Sequence, residues 1–232
     1  MLYYSLIDNQ FRRNFVGLDN YVKTLNNEYF LIALKNSLLL IVICVPMLLA
    51  LALVISLVLS FGIKAVRRTR AAFVLPMVIP TASIVIIWRS VFSWDETALP
   101  IYLLFIWKNI GICVILLTAA FTEIDKNIFE AAKLDGAGTF TLHRKITVPM
   151  IMPTLLFTAL LSVVNSFKIF KESYLYYGSN YPPEHSYTLQ YYMNNNFLKL
   201  DYQSLAASAV LTSAVVFLIV LAGLALQRRY RQ

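Results

Sequence analysis

SLLLIVICVPMLLALALVISLVLS, residues Ser37 to Ser60, decides the fold class, because it runs for 24 residues without one Asp, Glu, Lys or Arg. As a helix it would rise about 36 Å, enough to cross a hydrocarbon core of about 30 Å. Four further stretches of similar character follow, at about Ala71–Phe92, Leu99–Phe121, Met150–Ser173 and Leu205–Leu226. Over the whole 232 residues the chain is 59% apolar and only 14% charged, where soluble domains carry about a quarter charged residues. These numbers exclude a soluble enzyme, a disordered tail and a disulfide-stapled secreted module. They predict an all-α membrane protein of about five transmembrane helices in a single domain, 1–232. Pro46 predicts a bend in the first span, and Pro76 and Pro80 lie one turn apart in the second, since proline removes a backbone donor. Trp88 and Trp94 close that second span as expected of an aromatic interfacial belt.

The charges orient these spans. Lys64, Arg67, Arg68 and Arg70 follow the first span, Lys126, Lys133, Arg144 and Lys145 lie between the third and fourth, and Arg228, Arg229 and Arg231 follow the fifth. Alternate connections lie on one face, so these eleven share a face, while Arg12, Arg13, Lys23, Lys35, Arg89 and Lys199 share the other with most of the acids. The basic face is the cytoplasmic one, which puts the N-terminus outside and the C-terminus inside. The same distribution makes the net charge of +8 a topology signal and not a nucleic-acid footprint. Cys44 and Cys113 fall inside apolar stretches and read as small hydrophobes, and no metal site is expected.

Two connections are too long to be mere turns. The outer one, 174–204, is rich in Tyr and Asn and carries Pro182 and Pro183, which predicts an ordered, partly extended cap. The inner one, 122–149, holds helix-forming residues from Lys126 to Leu134, a break at Gly136 and Gly138, and a second short helical pattern. It predicts a helix–turn–helix on the cytoplasmic surface. Gly136 is free to take the left-handed backbone that ends a helix. Ala131 and Ala132 keep that helix thin enough for a partner's groove, and Pro149 starts the next span where its missing N–H costs nothing. Read by composition alone, the unit is also an interfacial hairpin with Glu130 paired to Lys126 or Lys133 at helical spacing.

Within this loop three residues separate Glu130-Ala131-Ala132 from Gly136, and nine and twelve residues separate Gly136 from Ile146 and from Pro149. The spacing resembles the EAA signature of permease subunits of binding-protein-dependent ABC importers, with Val148 in place of the family's Leu. Phe15–Tyr21, Leu75-Pro76, Trp107-Lys108-Asn109 and Ser166-Phe167-Lys168 are similar to stretches of the carbohydrate-type, maltose-permease-like members. The resemblance implies that Glu130, Ala131, Ala132, Asp135, Gly136, Ala137, Ile146 and Pro149 couple the spans to a cytoplasmic ATPase. It further implies a second permease subunit, an ABC ATPase dimer carrying the ATP and Mg, an extracellular solute-binding protein and a sugar or oligosaccharide as cargo. The setting is a bacterial or archaeal plasma membrane. Carbohydrate-type members usually have six spans, and the cytoplasm-initiated first one has no counterpart among the five expected here. The family's Gly-Gly-Pro after the fourth span is replaced by Gly178 to Pro183. Members that take amino acids or other small solutes often have five spans, and a non-transporting scaffold that holds an ATPase fits the loop as well.

Polar residues inside the apolar stretches identify a candidate pathway. A charge at mid-bilayer costs roughly 2.5–3.5 kcal/mol even on the lenient insertion scale, so it faces a cavity or a partner. Asn165, Lys168, Glu172 and Tyr176 recur at three and four residues and share one face of an unbroken helix, and Lys108 and Asn109 sit inside the third span. That face either lines a hydroxyl-binding pocket or is satisfied by a Lys168–Glu172 pair or a packed neighbour. Lys108 either joins it or pairs with Glu172. No Gly-Lys-Ser/Thr phosphate loop occurs, and His143 and His185 lie in connections on opposite faces. The chain is therefore expected to be no enzyme and to hold no cofactor of its own.

Overall fold

The computed structural model describes residues 1–61, 72–73, 75–92 and 96–229. Lys64, Arg67, Arg68, Arg70, Trp94 and Arg231, used above for topology, lie outside the described residues. Apart from an isolated antiparallel bridge between Ile7 and Phe15, the described backbone is helices and their connections. Among the described residues, four helices are long and apolar enough to cross a membrane: Glu28–Phe61, Leu99–Glu123, the helical run His143–Ser166 and Tyr202–Arg229. Side chains cap three of the helices that follow a turn. Asn27 Oδ1 accepts from the Phe30 N–H at 3.3 Å, Asp125 Oδ1 from Asn127 at 3.0 Å and Asp201 Oδ1 from Ser204 at 3.0 Å, each matching one otherwise orphaned donor of a first turn.

The long helices keep much of their apolar surface outward. Only 22–44% of their most apolar 18-residue windows is buried, and Leu38, Val42, Met47, Val54, Val58, Phe217 and Leu218 are among the exposed large side chains. Left in water, each would forgo about 1.5–3 kcal/mol of burial. In hydrocarbon that cost vanishes, and the helical backbone meets its own hydrogen bonds as the bilayer demands. The molecule is a multi-pass membrane protein.

The second expected span is corrected by the structure. Between Leu75 and Val91 the backbone forms two pieces, Leu75–Val78 and Thr81–Val91, with Ile79 and Pro80 between them. Pro80 restricts the residue before it to extended backbone and itself sits at φ −55°, ψ 131° as the cap of the second piece. Eleven residues rise about 16 Å, too little to cross the bilayer core as one helix. The fourth expected span is corrected as well. It begins at Val148, ends at Ser166 and resumes as Phe170–Tyr177 after a turn at residues 167–169.

The chain divides into two compact units, each taking part of the long helices. The first comprises Met1–Ile43, Pro80–Phe105 and Val164–Leu221. Its core is aromatic: Phe30, Ala33, Tyr187, Leu189, Tyr191 and Tyr192 cluster, with Phe167, Phe170 and Leu211 against them. The turn at 167–169 gives this cluster both Phe167 and Phe170, and Phe170 meets Tyr191 edge-on at 4.9 Å. The second unit comprises Cys44–Ile79, Ile106–Val163 and Ala222–Gln232. Cys44, Leu48, Ala52, Ser56 and Leu59 form a fully buried row along one helix face, the three- and four-residue spacing of a packed stripe. Small polar groups fasten that row and its neighbours. Ser56 Oγ donates to the Val114 carbonyl at 3.2 Å, and Cys113 Sγ lies 3.5 Å from Ser162 Oγ.

Candidate functional site

The connection between the second and third long helices is a helix, a turn and a second helix. The first helix is Lys126–Leu134. Among its described side chains Ala132 is buried, whereas Glu130, Ala131, Leu134 and the following Asp135 are exposed, Leu134 at 89%. The side chains of Lys126 and Lys133, the expected partners of Glu130, lie outside the described residues. Gly136 at φ +79° ends the helix, and the Ala137 N–H donates to the Ala132 carbonyl at 3.0 Å. With Gly136 as the left-handed residue, that bond runs from the second residue past the cap, Asp135, to the helix's third-last carbonyl, the Schellman arrangement. No heavy atom lies within 4 Å of where a Gly136 Cβ would stand, so the backbone angle alone asks for glycine here.

After Gly138 the backbone turns helical again at Thr139–Leu142, passes through a π turn at His143–Thr147 and continues as Val148–Ser166. The π turn has a local cause. Pro149 has no N–H for the Lys145 carbonyl, and the Val148 N–H bonds five residues back to His143 instead of four. Thr147, fully buried, stands 3.2 Å by its Oγ1 from His143 Nδ1. Ile146 is half-buried and Pro149 exposed. The turn-and-helix unit therefore joins the third long helix by unbroken helical backbone.

The polar residues expected to line one face are distributed differently. Asn165 belongs to the helix ending at Ser166, Lys168 to the turn, and Glu172 and Tyr176 to Phe170–Tyr177. Helical spacing across the turn no longer places them on one face. Lys168 Nζ donates to Asn165 Oδ1 at 3.3 Å on an exposed surface. Glu172 is 8% exposed and Tyr176 2%, and the Tyr176 hydroxyl donates to the Phe92 carbonyl. Lys108 falls on Leu99–Glu123, in the second of the two units.

The outer connection contains what the sequence reading missed. Phe170–Tyr177 ends at Gly178 in the left-handed region, φ 64°. A 3₁₀ turn at Glu184–Ser186 and a helix at Leu189–Leu198 follow, so the expected cap is largely helical, with extended backbone at Pro183 and Tyr187–Thr188. Asn36 on the first long helix clamps it, donating through Nδ2 to the carbonyls of Glu184 at 2.6 Å and Tyr187 at 3.0 Å. The Leu189 N–H donates to Ser37 Oγ at 3.0 Å. Asn195 Nδ2 donates to the Asn180 carbonyl at 3.0 Å and the Tyr187 hydroxyl at 3.1 Å. Beside this clamp a cleft of about 300 Å³ is lined by Asn27, Tyr29, Tyr181, Tyr187, Tyr192, Asn195, Asn196 and Lys199. Burial pushes the Tyr187 phenol up to about 12, so it remains a neutral O–H at physiological pH. Among the described residues no group of three His, Cys, Asp or Glu gathers as a metal site.

Comparison with known proteins places this geometry. The profile of the family described as binding-protein-dependent transport system inner membrane component matches residues 37–232. The arabinooligosaccharides transport system permease protein AraP of Bacillus subtilis (strain 168) is 29% identical, over 89% of this chain and 74% of its own. The lactose transport system permease protein LacF of Rhizobium radiobacter is 28% identical over 89% and 77%. The osmoprotective compounds uptake permease protein GgtC of Synechocystis sp. is 27% identical over 77% and 74%. Among solved structures, a bacterial ABC transporter involved in import of the acidic polysaccharide alginate superposes with a TM-score of 0.75 at 23% identity, covering 99% of this chain and 88% of that one. The inward-facing MetNI methionine transporter superposes at 0.69 and 16% identity, covering 85% and 94%. These two likenesses speak to the fold alone.

Proposed function

Because the chain belongs to the binding-protein-dependent transport system inner membrane component family, and so is a non-catalytic permease subunit of an ABC importer, we propose that its cargo is a sugar or oligosaccharide. It forms half of the translocation pathway beside a second permease. The relatives carry most of the argument for the cargo, since AraP and LacF are described for arabinooligosaccharides and lactose. The Tyr- and Asn-rich outer connection is of the same chemistry, because hydroxyl-rich solutes need amide partners and aromatic faces.

The observation that supports the drive is the exposed Lys126–Leu134 helix joined through its glycine-closed turn to helical backbone that runs on to Ser166. A helix with a small exposed residue at Ala131 seats in a groove of a cytoplasmic ATPase. When two ATPases close on ATP and Mg held in their own sites, the helix moves as a stiff lever. Glu130 and Asp135 present charge at its surface, Gly136 and Ala137 fix the angle of the turn, and Ile146 and Pro149 pass the motion to the third long helix. The spans then shift from an inward-open to an outward-open population, and an extracellular solute-binding protein delivers cargo at the outer connection. In this orientation the N-terminus is outside and the basic C-terminus cytoplasmic, following the excess of Lys and Arg on one face. Asn165, Lys168, Glu172, Tyr176 and Lys108 are the candidate pathway residues, carried by three separate helical segments and a turn.

Affinity purification of the tagged chain from its native membrane in mild detergent, with mass spectrometry of what accompanies it, tests the assembly. An ABC ATPase and a second permease are expected. A monodisperse chain recovered with neither would overturn the lever. Uptake into membrane vesicles carrying the whole complex tests the cargo, with labelled lactose, maltose and arabinotriose set against glycine betaine. Uptake of glycine betaine alone would favour the osmolyte reading that the GgtC likeness supports.

A further inference from the structure

The cleft formed by Asn27 and Tyr29 with Tyr181, Tyr187, Tyr192, Asn195, Asn196 and Lys199 has the chemistry of a binding site. Tyr29 and Tyr181 are 63% and 61% exposed, so their rings offer open apolar faces at its mouth. Its floor is fixed, because Tyr187, Tyr192 and Asn195 are 7%, 4% and 4% exposed and belong to or touch the aromatic core. Asn195 has both amide donations committed, to Asn180 and Tyr187, while its Oδ1 meets no hydrogen-bond partner among the described residues. Asn27 spends its Oδ1 on the helix cap, which leaves its NH₂ as the group it offers. The lining holds no Asp or Glu, and Lys199 adds a cationic donor at the rim, so a cation is disfavoured. Nor do the rings make an open cage for a quaternary ammonium. Tyr187 is stacked on Tyr191 at 5.9 Å and met edge-on by Tyr29 at 6.3 Å.

We propose that this cleft is a saccharide subsite that holds a single sugar ring before or during its passage, apart from the pathway residues at Lys108 and Asn165–Tyr176. The proposal rests on the reading of the cargo as a sugar. About 300 Å³ lies at the small end of ligand pockets and suits one ring and not a chain. The exposed tyrosines stack on the ring's C–H face, and the amides and Lys199 meet its hydroxyls.

The test uses the complete transporter in membrane vesicles, with labelled lactose, maltose, arabinotriose and glycine betaine as probes. The variants are Tyr29→Ala/Tyr181→Ala, a double substitution of two exposed side chains, and Tyr29→Phe/Tyr181→Phe, which keeps the ring faces. For whichever saccharide is taken up, the alanine pair is expected to raise KM about tenfold, the loss of roughly two modest stacking contacts, with Vmax within about twofold. The phenylalanine pair is expected to restore KM. Saccharide uptake whose KM is unchanged in the alanine pair would overturn the subsite while leaving the sugar reading in place. A fall in Vmax at constant KM, unrescued by phenylalanine, would likewise overturn it in favour of a structural role. Uptake of glycine betaine and of no saccharide would remove the sugar reading and the subsite together.

Discussion

The two long connections of this permease are built on opposite plans. The 122–149 connection satisfies its backbone almost entirely from within: Asp125 caps its first helix, Gly136 and Ala137 close it, and the next helix starts a few residues on. The 174–204 connection is held from far along the chain, by Asn36 and Ser37 on the first long helix, and its phenol and amide groups bond to one another. The inner connection keeps its shape through local bonds. A piece that must present a fixed surface borrows rigidity from a span.

Substitutions sharpen that contrast, and the largest loss of stability is expected at Asn36→Leu. It strips donors from two carbonyls at a site where the side chain is 9% exposed, at a cost of about 2–4 kcal/mol. Thermal unfolding in detergent, with limited proteolysis between Gly178 and Thr188, checks it, and a melting temperature equal to that of the parent would contradict the clamp. Next comes Gly136→Val. A β-branched residue forced to φ +79° costs about 1–3 kcal/mol, confined to the loop. The variant is expected to insert normally yet lose the ATPase on co-purification and at least about tenfold of uptake, a factor that a 1.4 kcal/mol deficit supplies. Normal recovery of the ATPase would remove the lever.

A smaller effect separates packing from hydrogen bonding in the outer core. Tyr191→Phe removes only the hydroxyl that donates to Ser173 at 3.2 Å, and about 1 kcal/mol of stability is expected to go with it, seen as a modest drop in the same melt. Smallest is Glu130→Gln. Its side chain is exposed, so stability should hold within about 0.5 kcal/mol, while uptake falls if the carboxylate meets a cationic group of the ATPase. A change in melting temperature with uptake intact would make Glu130 a structural residue instead.

What the sequence disclosed follows from which forces are local. Ser37–Ser60 and Leu99–Phe121 lie in helices, because a long and mainly apolar run leaves a bilayer-spanning chain little choice. The Ala71–Phe92 stretch is as apolar, but its two prolines act on the backbone and not on hydropathy, and Pro80 parts it into Leu75–Val78 and Thr81–Val91. The break at residues 167–169 has no proline or glycine to announce it. It accompanies the seating of Phe167 and Phe170 on an aromatic cluster assembled from both ends of the chain. The helix Leu189–Leu198, with three consecutive asparagines, has poor intrinsic propensity and is fixed by the burial of Leu189, Tyr191, Tyr192 and Asn195. The cleft escaped notice for the same reason: Asn27 and Tyr29 meet Tyr181–Lys199 only after folding. The Lys126–Leu134 helix and its stop at Gly136 were legible because a short helix and a glycine stop are local instructions.

The π turn at His143–Thr147 also keeps a phase. Each residue advances an α-helix by about 100°, and a π turn takes in one residue more than an α turn. Because the spare residue is taken up within that one turn, deleting it would restore ordinary helix and leave the bearing of the Gly138 side nearly unchanged. The run thus carries one residue more than an α-helix of the same length without turning the Lys126–Leu134 helix, which an insertion not taken up in this way would swing through about 100°.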